Sequence, residues 1–281
     1  MNLFAIETGR FALDGGAMFG VVPKSIWERT NPADNRNLIP MAMRALLVED
    51  GGRLILIDNG LGHKYDQKFA QLYNIDHSSA SLDLSLSRAG FSRGDITDIF
   101  LTHLHFDHCG GSTEWDVVEE KSTLVFPDAI HWIQKTHLDW ALHPNPREKA
   151  SFFDDNIAPL VQSSNLRLLT GETELFPGFQ VKVINGHTEG QQLPLITYKE
   201  KKILYAADLF PTHGHIPLPF VMGYDTRPLL TLSERESILP WLAKEEVVLF
   251  FEHDPQVECG TVLADDKGKY RIWEKFLLSS L

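Results

Sequence analysis

Residues 102–111, THLHFDHCGG, place three histidines and one aspartate within six residues, directly after the apolar run ITDIF. In an extended chain, residues two apart point the same way, so His103 and His105 can grip one cation from a single side. Asp107 and His108 lie toward the turn at CGG and can face a second cation. Two ions need roughly eight ligand contacts, more than this segment supplies. The fold must therefore bring further ligands to it.

Three other residues stand where an apolar run stops and suit this need. They are His187 in NGHTEGQQ, Asp208 in YAADLF and His253 in FFEHD. A single histidine is usually a surface or satisfied core residue, and an aspartate after a strand commonly caps a helix. A two-ion site that lacks ligands needs partners of this type in this kind of place, so the combination favours metal binding.

Predicted strands and helices alternate along the chain. Short runs of branched and aromatic residues predict strands at 53–58, 96–102, 179–184, 202–208 and 247–251. Helices are predicted at 64–75, 79–89, 129–141, 147–164 and 229–243, the last with Pro228 near its first turn. Alternation favours a layered α/β architecture in which rigid strands carry reactive loops. No segment resembles an interdomain linker, so we expect residues 1–281 to form one domain.

Composition excludes several classes of partner. The formal charge of −12 and the lack of any Lys/Arg-rich run argue against nucleic acid, since phosphate neutralisation dominates such binding. No apolar run approaches the roughly 20 residues needed to span a bilayer. With two cysteines and no basic start followed by an apolar stretch, the chain is expected to be cytoplasmic and free of disulfides.

Four motifs in order, HLHFDH, GHTEGQ, ADLF and EHD, resemble those of the metallo-β-lactamase-fold hydrolase superfamily. The segments IPMAMRALLVEDGG, REKASFF and ADLFPTHGHIPLPFVMGYD are similar to a group that includes N-acyl-homoserine lactonases and methyl parathion hydrolase. The resemblance implies a four-layer αβ/βα sandwich with a binuclear site at one edge. It implies that His103, His105 and His187 bind the first metal, that Asp107, His108 and His253 bind the second, and that Asp208 bridges them.

Asp208 distinguishes between branches of this superfamily, because the antibiotic-degrading members usually have cysteine at the corresponding position. The chain therefore sides with the lactonase, glyoxalase and phosphoesterase branches, and it has little room for the helical substrate domain of the glyoxalase-like branch. Two divalent ions are expected. Zinc is favoured, while manganese, iron or cobalt remain alternatives, since His/Asp sites of this kind accept all of them. Asp107 is expected to act both as a ligand and as a catalytic proton acceptor that passes a proton to the leaving group.

One position departs from the resembled pattern. Related lactonases often carry a tyrosine three residues after the bridging aspartate, where this chain has Pro211. His215 is our candidate for the missing catalytic donor, with His213 and Tyr224 as further candidates, while a structural loop role stays open for each. Asp58 is implied to lie beneath the metal loop as a hydrogen-bond acceptor, or else to form a simple turn.

Cys109 stands next to the metal motif. It is expected to pack in the interior rather than bind metal, since the seven named groups already satisfy two ions.

The first functional hypothesis is hydrolysis of a small-molecule lactone or ester by a bridging hydroxide, with no nucleic acid or membrane as partner. The alternative is cleavage of a phosphotriester or aryl phosphate ester. A di-iron redox protein is less favoured, because such proteins of this fold usually carry glutamate in place of His105. A non-catalytic metal module is a fourth hypothesis. Related enzymes include dimers, so a homodimer stays open.

Overall fold

The computed structural model describes residues 1–281 and contains fifteen strands and eight α-helices. The strands are β1 (Asn2–Asp14), β2 (Leu38–Asp50), β3 (Arg53–Ile57), β4 (Asp98–Phe100), β5 (Thr113–Asp116), β6 (Lys121–Leu124), β7 (Ile130–Gln134), β8 (Leu166–Leu169), β9 (Thr173–Phe176), β10 (Phe179–Ile184), β11 (Gln191–Tyr198), β12 (Lys201–Tyr205), β13 (Val248–Phe250), β14 (Cys259–Ala264) and β15 (Tyr270–Phe276). The helices are α1 (Gly15–Phe19), α2 (Lys24–Trp27), α3 (Gln67–Leu72), α4 (Leu82–Ala89), α5 (Phe106–Cys109), α6 (Lys135–Leu142), α7 (Asp154–Gln162) and α8 (Pro228–Lys244).

The chain divides into two compact units. The first comprises residues 1–11 and 43–170, and the second comprises residues 12–42 and 171–281. The expectation of a single domain therefore stays a prediction. None of the helices is both long and apolar enough to cross a membrane.

The sheet of the first unit has the order β1-β2-β3-β4-β7-β8. Strands β3, β4, β7 and β8 run parallel to one another, while β2 pairs antiparallel with β3. Parallel strands end at the same edge of a sheet, so Asp58 after β3 and His103 after β4 emerge side by side. The edge formed by these carboxyl ends therefore carries the metal motif.

The core of the first unit joins this sheet to its helices. Leu56 and Ile99 of the sheet belong to one buried cluster with Leu86 of α4 and Leu160 of α7. Burying such a side chain stabilises a fold by roughly 1.5–3 kcal/mol. Helix α4 ends where expected, because Gly90 adopts the left-handed conformation that glycine supplies without strain. This core fixes the strands that carry the metal motif.

The sheet of the second unit has the order β15-β14-β13-β12-β11-β10-β9. Its parallel pair, β12 and β13, aligns Tyr205 with Phe250. Asp208 and His253 each lie three residues beyond this aligned pair, so both ligand candidates leave the same edge. His187 lies in the loop that joins the antiparallel strands β10 and β11. Three separate loops thus reach one region of the second unit.

Most predicted elements are present, although often shorter than expected. The predicted helix at 129–141 is wrong in its first half, where Ile130–Gln134 forms strand β7 and only Lys135–Leu142 is helical. The five-residue run IHWIQ directly precedes helix α6, so the sequence alone suggests that it belongs to that helix. Its pairing with β4 and β8 makes it a strand instead. The helix predicted at 147–164 is confined to Asp154–Gln162.

Candidate metal centre

His103 and His105 turn ring nitrogens toward each other. The chain is extended through His105, which caps α5 with a backbone ψ of 149°. His103 Nε2 and His105 Nδ1 lie 3.0 Å apart, and both side chains are buried. With a zinc–nitrogen distance of about 2.0–2.1 Å, two nitrogens on a tetrahedral ion lie about 3.3 Å apart. This pair is therefore spaced to share one cation.

Asp107 and His108 lie on α5, a single helical turn that changes the direction of the chain after His105. His108 Nε2 and Asp107 Oδ2 are 3.9 Å apart. Both are buried and both supply atoms that could hold a metal ion. One helical turn thus separates a pair of histidines from a second, aspartate–histidine pair.

Asp58 lies beneath this segment and orients it. Its carboxylate accepts hydrogen bonds from the Thr102 amide at 2.7 Å and from the Thr102 hydroxyl at 2.6 Å. Its Oδ2 atom also lies 3.1 Å from His108 Nδ1. Asp58 adopts a φ of 56°, a strained value for a residue with a side chain. The expectation that Asp58 accepts from a loop amide and a histidine is confirmed.

Glu148 performs the same task for His105. Its Oε1 atom lies 2.9 Å from His105 Nε2, while its Oε2 atom accepts from Trp140 Nε1 at 2.7 Å and Asn145 Nδ2 at 3.2 Å. The carboxylate is buried. This arrangement holds the His105 ring with Nδ1 directed toward His103.

The CGG turn is packed too closely for larger residues. A Cβ atom on Gly110 would lie 2.2 Å from the Leu61 carbonyl oxygen, and one on Gly111 would lie 2.3 Å from that of Asn59. The Lys64 ammonium donates to the carbonyls of Gly110 and Thr113 and closes the turn. The glycines are therefore needed for close backbone approach rather than for unusual dihedral angles.

Cys109 is fully buried, as expected for a packing residue. Its thiol donates to the Leu104 carbonyl at 3.3 Å. Burial raises the pKa of Cys109 to about 12, which keeps the thiol protonated, whereas metals bind the thiolate.

Asp208 stands between two histidines in the second unit. Its Oδ2 atom lies 3.0 Å from His187 Nε2, and its Oδ1 atom lies 3.3 Å from His253 Nε2. The residue sits on a short 3₁₀ turn after β12, preceded by Ala207 at a strained φ of 40°. Each carboxylate oxygen of Asp208 therefore faces a different histidine.

The outer nitrogens of both histidines are also occupied. His187 Nδ1 lies 2.9 Å from a carboxylate oxygen of Asp225, and His253 Nδ1 donates to the main-chain carbonyl of Ala42 at 3.0 Å. Burial lowers the pKa of His187, but Asp208 and Asp225 outweigh it and raise the pKa to about 10. The same two carboxylates favour a bound cation.

Helix α8 holds the loop that carries His187. Glu234 accepts from the amides of Asn185 and Gly186 at 2.6 and 3.1 Å. A Cβ atom on Gly186 would lie 2.3 Å from Thr231 Oγ1, so the loop rests directly on the helix.

The candidate donors after Asp208 differ in their surroundings. Both ring nitrogens of His215 are engaged, Nδ1 by the Thr212 hydroxyl at 2.8 Å and Nε2 by the Met18 carbonyl at 3.0 Å. Its ring stacks on Phe19 with centroids 4.1 Å apart, and burial lowers its pKa to about 3. These contacts favour a packing role, and its catalytic role stays a prediction. Tyr224 is 39% exposed.

His213 is held differently. Its Nδ1 atom lies 2.5 Å from Asp254 Oδ2, which also accepts from the His213 amide at 2.8 Å. Burial raises the pKa of Asp254, but its hydrogen bonds with His213 lower it overall. Asp254 is the residue next to His253.

The donor set fits metal ions, because each of the five candidate histidines has one ring nitrogen held by the protein. The holding groups are Thr102 Oγ1 for His103, Glu148 for His105, Asp58 for His108, Asp225 for His187 and the Ala42 carbonyl for His253. Such contacts fix the tautomer and the orientation of a histidine that binds metal. Sequence reasoning missed Glu148, Asp225 and Ala42. Asp225 lies just before a helix, where an aspartate suggests a helix cap rather than a partner of a histidine. Nothing in the sequence near Glu148 or Ala42 indicates that they contact a histidine.

Comparison with known proteins gives a family and named relatives. A family model described as "Metallo-beta-lactamase superfamily" matches residues 44–253. The chain is 29% identical over 176 residues to an N-acyl homoserine lactonase of Bacillus thuringiensis, a match that spans 62% of the chain and 62% of that relative. It is 26% identical over 272 residues to an N-acyl homoserine lactonase of Bacillus cereus, covering 92% of the chain and 95% of the relative.

Solved structures are similar over nearly the whole chain. A probable metal-dependent hydrolase from Staphylococcus aureus has a TM-score of 0.86 and 26% identity, with 98% of each chain covered. AidC, a dizinc quorum-quenching lactonase solved with a homoserine product, has a TM-score of 0.78 and 27% identity, with 98% of this chain and 95% of that chain covered.

Proposed function

Because this chain belongs to the metallo-β-lactamase superfamily, we propose that it is a binuclear metal-dependent hydrolase that opens a lactone or cleaves a related ester. Membership confirms the α/β fold class expected from the sequence, the metallo-β-lactamase fold. One observation carries the proposal, namely that Asp208 directs one oxygen to His187 and the other to His253. A carboxylate shared in this way suits two ions rather than one.

The ligand assignment follows the sequence prediction. His103, His105 and His187 would hold one ion, Asp107, His108 and His253 would hold the other, and Asp208 would contribute to both. The spacing and buried orientation of the donor atoms within each unit support this assignment. Bound divalent ions lower the pKa of water toward about 7 and polarise the oxygen under attack. Zinc is proposed because the AidC relative is a dizinc enzyme.

The residues of this chain would divide the remaining work. Glu148, Asp58 and Asp225 fix the histidine rings, so the ligand atoms need no reorganisation when substrate arrives. Asp107, beside His108 on α5, accepts the proton of the attacking water. No serine or cysteine nucleophile is needed, and the buried Cys109 thiol is not available as one.

A lactone is the proposed substrate class because relatives that match by sequence are named N-acyl homoserine lactonases. AidC, which is similar over 98% of this chain, was solved with a homoserine product. A small uncharged ester also suits a protein with a formal charge of −12 and no Lys/Arg-rich run in its sequence. The cytoplasmic location and the homodimer stay predictions.

The test uses metal-loaded protein and three substrates: an acyl homoserine lactone, an aryl ester and an aryl phosphotriester. We expect fastest turnover of the lactone and two equivalents of metal per chain by elemental analysis. Turnover of the phosphotriester alone would support the alternative. Less than one equivalent of metal after loading would contradict the binuclear proposal.

Asp208→Asn tests the bridge directly. It should reduce kcat/KM by at least about 100-fold, since the neutral amide is a poor bridging ligand. Far-UV circular dichroism should be unchanged, because β12 packs regardless of this side chain. Loss of folded structure together with activity would instead make Asp208 a structural residue.

A further inference from the structure

His213 and Asp254 form a hydrogen-bonded pair whose second member directly follows the proposed ligand His253, and the role inferred for this pair rests on the proposed function. Asp254 accepts from the His213 main-chain amide at 2.8 Å and holds the Nδ1 atom of the ring at 2.5 Å. The other oxygen of Asp254 accepts from the amides of Gln256 and Val257, each at 2.9 Å. Both partners of this dyad are therefore fixed in place.

The Nε2 atom of His213 makes no hydrogen bond within the protein, and the residue is 7% exposed. His215, two residues later, has both ring nitrogens engaged and is fully buried. Of these two histidines, only His213 combines a fixed ring with a nitrogen free to meet a ligand.

The dyad joins the two loops that carry Asp208 and His253. His213 lies five residues after Asp208, and Asp254 directly follows His253. These loops leave the paired ends of β12 and β13, where Asp208 and His253 come within 3.3 Å. The His213–Asp254 pair therefore links the loop that follows Asp208 to the loop that carries His253.

We propose that His213 donates a proton from Nε2 to the leaving oxygen of the substrate, while Asp107 takes the proton of the attacking water. Water adds to the carbonyl carbon, the carbon–oxygen bond to the leaving group breaks, and its electron pair goes to that oxygen. The oxygen takes the His213 proton and becomes a hydroxyl, after which Asp107 releases the proton of the water to solvent and His213 regains a proton from solvent. Asp254 stabilises the imidazolium and fixes its orientation.

The kinetic test uses His213→Asn, since the asparagine amide can replace Nδ1 toward Asp254 but offers nothing in place of Nε2. For a lactone with an alkoxide leaving group, kcat/KM should fall by about 100-fold or more. For a 4-nitrophenyl ester, whose leaving group needs no proton, the loss should stay below about threefold. His143→Gln, on the exposed histidine of the loop after α6, is the matched control and should change neither rate.

A second variant, His213→Gln, keeps a hydrogen-bond donor near the Nε2 position but cannot release a proton. It should lose as much lactone turnover as His213→Asn. Equal losses on both substrates would overturn the proposal, because a structural role affects every substrate alike. A wild-type protein inactive on all substrates would contradict the proposed function instead.

A binding measurement gives a readout independent of turnover. Titration calorimetry should show that His213→Asn weakens binding of the ring-opened hydroxy acid about tenfold, through loss of one hydrogen bond. Binding of the same acid without its hydroxyl group should be unchanged, as should metal content. If affinity for both acids changes alike, or for neither, His213 does not meet the leaving oxygen.

Discussion

At the scale of single residues, the proposed ligands depend on partners that come from distant parts of the sequence. Glu148 lies 43 positions from His105, and Asp225 lies 38 positions from His187. Each partner fixes the tautomer and the orientation of the ring of a proposed ligand. Metal affinity should therefore respond to residues that do not touch the ion.

Glu148→Gln should weaken metal binding by about 10- to 100-fold, because the amide holds the His105 ring less strongly and opposes the Trp140 donor. Competition with a chromogenic chelator measures the affinity. Glu119→Gln is the matched control, since Glu119 is exposed and pairs only with Lys121 at 3.4 Å. Equal metal affinity in the Glu148 variant and the wild type would refute the orienting role.

Cys109→Ser should leave metal content unchanged, because the thiol is protonated, buried and bonded to the Leu104 carbonyl. A serine hydroxyl can make the same bond. Elemental analysis after dialysis checks this, and a loss of one metal equivalent would show that Cys109 is a ligand.

At the scale of elements, the metal motif depends on how the turn after α5 packs against the residues that follow β3. Gly111 donates its amide to the Gly60 carbonyl at 2.8 Å, and Asn59 donates its amide to the His108 carbonyl at 2.9 Å. These bonds tie the two strand ends together. The spacing leaves no room for a Cβ atom at Gly110 or Gly111.

Gly111→Ala should destabilise the fold by about 1–3 kcal/mol, the usual cost of forcing extra atoms into a packed site. Urea unfolding monitored by tryptophan fluorescence measures this cost. Gly94→Ala is the control, since its nearest neighbour, Ser92 Oγ, lies 3.9 Å from the position of the new Cβ atom. Similar unfolding midpoints for both variants would mean that the turn relaxes freely.

An element could be predicted from the sequence when the residues that determine it lie close to it along the chain. Pro228 predicts the start of helix α8 and Gly90 the end of α4, because helix caps act within a few residues. Strand β7 could not be recognised within the predicted helix at 129–141, because its pairing partners, β4 and β8, lie about 30 residues away on either side.

The metal motif could be predicted for the same local reason. His103 to His108 form one dense run, so their chemistry is visible in the sequence. Glu148 and the Ala42 carbonyl were not predictable, since only the folded chain brings them to His105 and His253.

At the scale of the whole molecule, acid stability reflects every buried group that changes protonation on unfolding. His131 of β7 is fully buried, aligned with Ile99 on one neighbouring strand and Leu166 on the other. Burial lowers the pKa of His131 from 6.5 to about 4, despite the nearby carbonyl of Ala129. The unfolded chain therefore binds a proton at a pH where the folded chain does not.

The contribution of His131 to stability is complete above about pH 6.5 and is lost as the pH falls from there to about 4. In metal-free protein, His131→Met should remove this loss of stability. Between pH 7 and pH 4.5, the free energy of unfolding of the wild type should therefore fall by about 2 kcal/mol more than that of the variant. Urea unfolding at both pH values measures it. Parallel pH dependences would show that His131 does not limit acid stability.

The hydrogen bond from His253 to the Ala42 carbonyl has a consequence for mutational tolerance. A main-chain acceptor is present whatever side chain occupies position 42, whereas the acceptors for His105 and His187 are single carboxylates that one codon change removes. In a saturation library sorted on metal retention, position 42 should be limited only by the space around a fully buried alanine. Positions 148 and 225 should accept few residues besides the native ones. His105, His187 and His253 thus differ in how easily a substitution removes the group that orients them. Only the acceptor of His253 belongs to the main chain and survives a change of side chain.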